Sequence, residues 1–181
     1  IQRVLKDKIF KWLELRDQQK GMLEKAQEEE WENIPPLRIV LHGPGGFGKS
    51  TLANALCHDE EIKKQFPDGI LRVELGESLE DPTKKIEGLI NYIAGKVHKY
   101  NYANVASVKL EELLKEWKML IVIDDLWTPK HLEPFLRGGD NCVRIITTRS
   151  QANIPSGQFE AIPVESMTDE EGVALLTHDI D

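Results

Sequence analysis

The run Gly43-Pro-Gly-Gly-Phe-Gly-Lys-Ser50 sets glycines, a lysine and a hydroxyl at the spacing G-x-x-x-x-G-K-[ST]. Glycines let a tight loop take positive φ and bring backbone N–H groups against an anion with no Cβ atoms between. A helix that opens on such a loop turns its positive end toward the same anion. The apolar run Leu37-Arg-Ile-Val-Leu-His42 lies just before the loop, and the helix-like Thr51-Leu-Ala-Asn-Ala-Leu56 lies just after it. That strand–loop–helix context is the one a phosphate-binding loop requires. Gly43, Gly45, Gly46, Phe47, Gly48, Lys49, Ser50 and Thr51 are therefore the expected nucleotide contacts. Lys49 would reach the β- and γ-phosphates, and the Ser50 hydroxyl would ligate Mg²⁺. The bland alternative is a glycine-rich turn that binds nothing.

Further along, Met119-Leu-Ile-Val-Ile-Asp-Asp125 is an apolar run ending in two carboxylates. An unbroken run suits a central parallel strand buried on both faces, and ligands of open α/β sheets bind beyond the carboxyl ends of such strands. Asp124 is placed to hold Mg²⁺, and Asp125 could orient or activate a water for attack on a γ-phosphate. Alternatively the pair terminates a turn before Trp127-Thr128-Pro129. Arg149 ends the run Arg144-Ile-Ile-Thr-Thr-Arg149, where it could pair with phosphate oxygens. Equally, it could be a surface arginine beside an acid.

The elements that would position these groups follow from periodicity. Ile1, Val4, Leu5, Ile9, Trp12 and Leu13 fall at helical spacing. The polar stretch from Arg16 to Asn33 reads as a connector, in part helical, and Pro35-Pro36 ends it. Its acidic cluster Glu28-Glu29-Glu30 with Glu32 reads as a solvated face. Phe66-Pro-Asp-Gly69 is a turn into the strand Ile70–Leu75. Asp81-Pro82 opens a helix expected to run to about Tyr100, with Ile86, Leu89, Ile90, Ile93 and Val97 on one side. A second helix is expected from Val108 to Trp117 behind a Ser107 cap. Strands follow at Cys142–Thr148 and at Phe159–Val164, where Pro163 suits an edge. Thr168-Asp-Glu-Glu171 is a capping box opening a last helix. Strands alternating with helices give an α/β fold, a P-loop NTPase three-layer αβα sandwich around a mostly parallel five-stranded sheet.

The chain has 181 residues, 40% hydrophobic and 30% charged, with a net charge of −8. That is one ordinary α/β domain, with room for the first elements of another, and its charge argues against a basic nucleic-acid surface. Cys57 and Cys142 form no C-x-x-C pair and read as small hydrophobes in a reducing compartment. No apolar run approaches the length of a membrane span, and no signal peptide opens the chain. The sequence begins at Ile1 and stops at Asp181 within a helical pattern, as a piece of something longer would.

Taken together, these segments resemble the nucleotide-binding domain of the NB-ARC branch of STAND NTPases, which includes apoptotic protease-activating factors and plant disease-resistance proteins. His42-Gly-Pro-Gly-Gly-Phe-Gly-Lys-Ser-Thr-Leu-Ala53 resembles the family's phosphate loop, and Phe66-Pro-Asp-Gly-Ile-Leu-Arg-Val-Glu-Leu75 its F-P-x-G-V-x-W-V strand. Leu120-Ile-Val-Ile-Asp-Asp-Leu-Trp127 resembles the L-L-I-L-D-D-V-W strand, and Arg144–Arg149 the I-L-T-T-R segment. The resemblance implies ATP or ADP with Mg²⁺ as ligands, Arg149 as γ-phosphate sensor, and the sensor strand between the two Walker strands. It also implies a cytoplasmic switch with slow hydrolysis that self-associates when ATP-bound and serves effector and sensor domains of a parent chain, with no nucleic acid or membrane as partner. The expected division is a helix and charged connector over 1–34, the nucleotide-binding domain over 35–165, and over 166–181 the start of a helical domain, the chain being cut before the rest of that domain and the winged helix. The family's adenine-contacting h-h-G-R segment is not visible in the chain. Rival readings are a rapidly cycling ATPase or phosphoryl transferase, and a scaffold that binds nucleotide without hydrolysing it.

Overall fold

The apolar runs become the strands of one five-stranded sheet in the computed structural model, which describes residues 1–23 and 34–166. The strands are β1 (Arg38–His42), β2 (Ile70–Glu74), β3 (Leu120–Leu126), β4 (Val143–Thr148) and β5 (Glu160–Pro163). Their order is β2-β3-β4-β1-β5, with every pairing parallel. β4, the strand that leads to Arg149, therefore runs between β1 and β3, as the resemblance implies, and Pro163 sits on an edge strand where its missing N–H costs no ladder bond. The carboxyl ends come level: Leu41 pairs with Thr147 and Glu74 with Asp124.

Period-two alternation sorts the strand residues to two faces. Val40, Ile121, Ile123 and Ile146 pack with α4 (Thr83–Ala94) and α5 (Ala103–Leu114), through Ile86, Ile90, Leu110 and Leu114. Ile39, Leu41, Val122 and Ile145 pack with α1 (Gln2–Leu23), α2 (Lys49–His58) and α3 (Glu60–Gln65), through Leu5, Ile9, Leu56 and Ile62. The central strands β3 and β4 are buried almost throughout, which is why they read as continuous apolar runs.

α1 runs through to Leu23, so the connector is in part helical as expected, because Gln and Lys propagate a helix and Gly21 costs it only about 1 kcal/mol. Leu5, Ile9, Trp12 and Leu13 are buried, whereas Val4, about a hundred degrees off their stripe, and Ile1, at the terminus, stay half exposed. Several element boundaries differ from expectation. α3 was not anticipated; Asp59 caps it, its Oδ1 accepting from the N–H groups of Glu61 and Ile62. α4 stops at Ala94 rather than near Tyr100, because Gly95 takes a left-handed C-cap (φ 63), and Val97 is consequently 79% exposed. α5 begins at Ala103, so Ser107 is a buried helical residue whose hydroxyl donates back to the Asn104 carbonyl rather than a cap. A short α6 (Pro129–Leu132) and a 3₁₀ turn at Glu133–Phe135 lead into β4. The fully buried Arg144 holds that turn by donating to the carbonyls of Phe135, Arg137 and Gly138. Burial of the guanidinium pushes its pKa down to about 10. Cys142 is buried and Cys57 partly so, both as free thiols. Among the described residues no helix is long and apolar enough to cross a membrane. The acidic cluster Glu28–Glu32 and the capping box at Thr168 lie outside the described residues.

Candidate functional site

The loop between β1 and α2 curls over the carboxyl edge of the sheet. Gly43 opens it at φ 150, where a Cβ would stand 2.4 Å from the Val164 carbonyl oxygen, so only glycine fits between β1 and the end of β5. Gly48 closes it at φ 80 as the N-cap of α2, and no side chain caps the first turn. The N–H groups of that turn are thus left for an anion.

A cleft of about 230 Å³ opens in front of the loop, lined by Gly45, Gly46, Gly48, Lys49, Ser50, Thr51, Asp125, Thr147 and Arg149. Ligand pockets that enclose a whole small molecule run from about 300 to 1,000 Å³. The cleft is thus sized for the phosphate end of a nucleotide. Lys49 is buried and its Nζ donates to the Pro44 carbonyl at 2.6 Å, folding the ammonium inside the loop. Burial first, and then repulsion from Arg149, hold its pKa below the ordinary lysine value.

Asp124 lies 2% exposed at the end of β3 behind Ser50. Its Oδ1 accepts from the Ser50 hydroxyl at 2.8 Å and the Thr147 hydroxyl at 2.5 Å, and its Oδ2 from Arg72 Nη2 at 2.5 Å. Burial pushes this carboxyl up, but the hydrogen bonds from Thr147, Arg72 and Ser50 outweigh it and leave the pKa lowered. The group is a carboxylate with a hydroxyl beside it whose lone pairs remain free. Mg²⁺ in phosphate sites is held by just such a partial set together with substrate phosphates. The donor chemistry fits.

Asp125 follows with φ 56, the only non-glycine residue of positive φ among the described residues, where β3 breaks register between Ile123 and Leu126. Its N–H donates to Thr147 Oγ1 at 2.9 Å, which anchors the left-handed turn and leaves the carboxylate facing the cleft. Arg149 comes in from the end of β4, its guanidinium within 4 Å of where a Gly45 side chain would begin and its Nε 3.9 Å from Asp125 Oδ1.

Lys49, Ser50, Thr51, Asp125 and Arg149 thus converge on one cleft with Gly45, Gly46 and Gly48, Asp124 joins it through Ser50, and Gly43 sits behind it against Val164. Phe47 does not, because it packs against the core beneath α1 and α2. Two residues of this constellation received no role from the sequence. Thr147 bridges both aspartates, and its position in the T-T-R segment was the available signal. Arg72 gave none, being an outward residue on a strand edge.

A model of the NB-ARC domain matches residues 16–180. A "Probable disease resistance protein" of Arabidopsis thaliana is 29% identical over 113 residues, which cover 62% of this chain and 13% of that protein. The disease resistance protein RGA2 of Solanum bulbocastanum is 24% identical over 166 residues, covering 86% of this chain and 17% of its own length. The chain therefore spans less than a fifth of either relative. Among solved structures, a STAND protein of Pyrococcus horikoshii with a tetratricopeptide repeat sensor superposes at a TM-score of 0.50 and 20% identity, over 80% of this chain and 23% of that one. That likeness shows the fold. The family match runs through the loop, the acidic strand β3 and the strand β4 that leads to Arg149, and the chain accordingly belongs to the NB-ARC domain family.

Proposed function

We propose that this chain is an ATP/ADP-operated switch. The observation that carries the reading is the hydrogen bond from Ser50 to Asp124, which couples the loop to β3 while Lys49 and Arg149 line the cleft in front. The backbone of the loop from Gly43 to Thr51 cradles the phosphates, and the Lys49 side chain serves the β- and γ-phosphates. Ser50 and Asp124 hold Mg²⁺, which when bound draws charge off the phosphate oxygens. Arg149 pairs with the γ-phosphate, the contact that ATP makes and ADP cannot, and a ligand shifts a two-state protein only through such a difference. Asp125 orients the water for a slow hydrolysis that resets the switch.

ATP-bound copies then self-associate through this domain and gather the effector domains of a longer cytoplasmic chain. Residues 1–34 form the lead-in, 35–165 the switch, and 166–181 the start of the next domain. Two likenesses support a signalling role: the plant relatives are titled disease resistance proteins, and the archaeal neighbour a signal transduction ATPase. Innate immunity is the setting this favours.

The test is to denature the purified protein and measure which nucleotide it releases. Near-stoichiometric ADP supports a loaded switch. An empty site that turns over added ATP quickly supports the cycling-ATPase reading instead. Lys49→Arg should weaken ATP binding, and unchanged affinity would remove the loop assignment.

A further inference from the structure

Arg72 has no part in the reading above, yet it is the cation nearest to Asp124. It lies on the edge strand β2, two residues before Glu74, whose backbone is in register with Asp124. From there its guanidinium reaches up the strand and Nη2 donates to Asp124 Oδ2 at 2.5 Å. The pair is unequal, with the Arg72 side chain 41% exposed and that of Asp124 4%. The carboxylate is thus divided between its oxygens. Two neutral hydroxyls, from Ser50 and Thr147, hold Oδ1, and a permanent positive charge holds Oδ2.

This division has an electrostatic consequence. A divalent cation arriving beside Ser50 meets a carboxylate whose charge is already offset, and it is repelled by the guanidinium itself. To use Oδ2 it must first displace Arg72.

We infer that Arg72 is a positioning residue acting through Asp124, fixing the carboxylate and serving as its resident counter-cation, so that diphosphate binding depends little on Mg²⁺. The inference rests on the nucleotide reading above. It differs from a plain surface ion pair, which would add at most a little stability and leave cation dependence untouched.

The experiment is calorimetric titration of ADP into the purified protein, in EDTA and across a series of Mg²⁺ concentrations. It compares the unsubstituted protein with Arg72→Gln, Arg72→Trp and Arg72→Lys, each checked by thermal melting. Mg²⁺ should change the ADP Kd of the unsubstituted protein by less than about threefold. In Arg72→Gln and Arg72→Trp, Mg²⁺ should tighten ADP by about five- to tenfold, because the charge is gone. Arg72→Lys keeps the charge and should behave as the unsubstituted protein does. The tryptophan variant carries the test if the glutamine variant fails to fold. A lower melting temperature with an unaltered Mg²⁺ response would overturn the inference, and so would strong Mg²⁺ dependence in the unsubstituted protein. Both of those outcomes leave nucleotide binding standing. Failure of the unsubstituted protein to bind ADP under any condition would instead overturn the nucleotide reading itself, and this inference with it.

Discussion

The guanidinium of Arg149 lies over the indole of Trp127, its central carbon 4.5 Å from the ring centroid. A cation on an aromatic face gains about 0.5–1 kcal/mol when exposed and keeps its charge and its N–H donors. Asp125, at 3.9 Å, is too far for a close hydrogen-bonded pair. Trp127 therefore holds the Arg149 side chain at the rim of the cleft with its N–H donors still available to an anion.

If Arg149 pairs with a γ-phosphate as proposed, removing its guanidinium should separate the two nucleotides. Arg149→Ala is expected to weaken ATP about tenfold and ADP by less than about threefold, since a hydrogen bond to a charged group is worth about 1.5–3 kcal/mol. Trp127→Leu should move ATP in the same direction by a smaller amount. Equal losses for ATP and ADP in Arg149→Ala would count against a γ-phosphate contact.

Thr147→Val keeps the shape of the side chain and removes its hydroxyl. Asp124 loses a donor, and the Asp125 N–H loses the acceptor it has at 2.9 Å. Leaving such groups unpaired costs about 1–3 kcal/mol, to be read as a lower urea midpoint with unchanged slope. A midpoint equal to that of the unsubstituted protein would mean that water replaces the hydroxyl.

Gly43→Ala should distort the join between the loop and β5, where Val164 N–H donates to the His42 carbonyl at 2.8 Å. The added Cβ meets a backbone oxygen, and the backbone conformation is one that side chains avoid. A cost of about 1–3 kcal/mol follows, or about 2–4 °C of melting temperature for each kcal/mol in a chain of this size. Differential scanning calorimetry measures it.

The contact between α1 and α3 predicts a pH dependence. A hydrogen bond from Lys6, with those from the Ile62 and Glu61 N–H groups, holds the Asp59 carboxyl below its ordinary 3.8. The unfolded chain therefore binds this proton at a higher pH than the folded one. The stabilisation is complete above the unfolded pKa and is lost as pH falls through the folded value. Asp59→Asn keeps a good N-cap and removes the ion pair. Its deficit in melting temperature should be full near about pH 6 and close below about pH 4. A deficit that persists in acid would assign it to the cap instead.

The residues that sequence made legible are those whose chemistry is local. The phosphate loop announces itself within a single turn of chain, and β3 combines an apolar run with terminal acids, so Lys49, Ser50, Asp124 and Asp125 could be named from spacing. Arg149 needed its segment as a whole. The failures have equally physical causes. α3 offers one buried residue, Ile62, in an otherwise polar stretch, and one residue makes no period. The helix read as running to Tyr100 overshot because Val97 continues the four-residue spacing from Ile93, and that stripe outweighed the left-handed stop at Gly95. Ser107 has the side chain of a cap but bonds backward within α5. Arg72 alternates outward on β2, which on its own signals a solvated cation. Its partner is fixed by the parallel pairing of β2 with β3, a relationship no short window of sequence contains.

The strand order also sets a timetable for synthesis. β1 is the first strand to be made, and it pairs with β4 and β5, whereas β2 and β3 can already pair with each other. Arg38 must wait for Arg144, about a hundred residues later, which at the usual pace of translation is about 5–20 s. Throughout that interval Ile39, Val40 and Leu41 have no strand beside them, and their exposed edge is open to misassembly. The carbonyl of His42, just before the loop, waits longer still, because its partner is the Val164 N–H, so the join between β1 and β5 is among the last of the sheet to form.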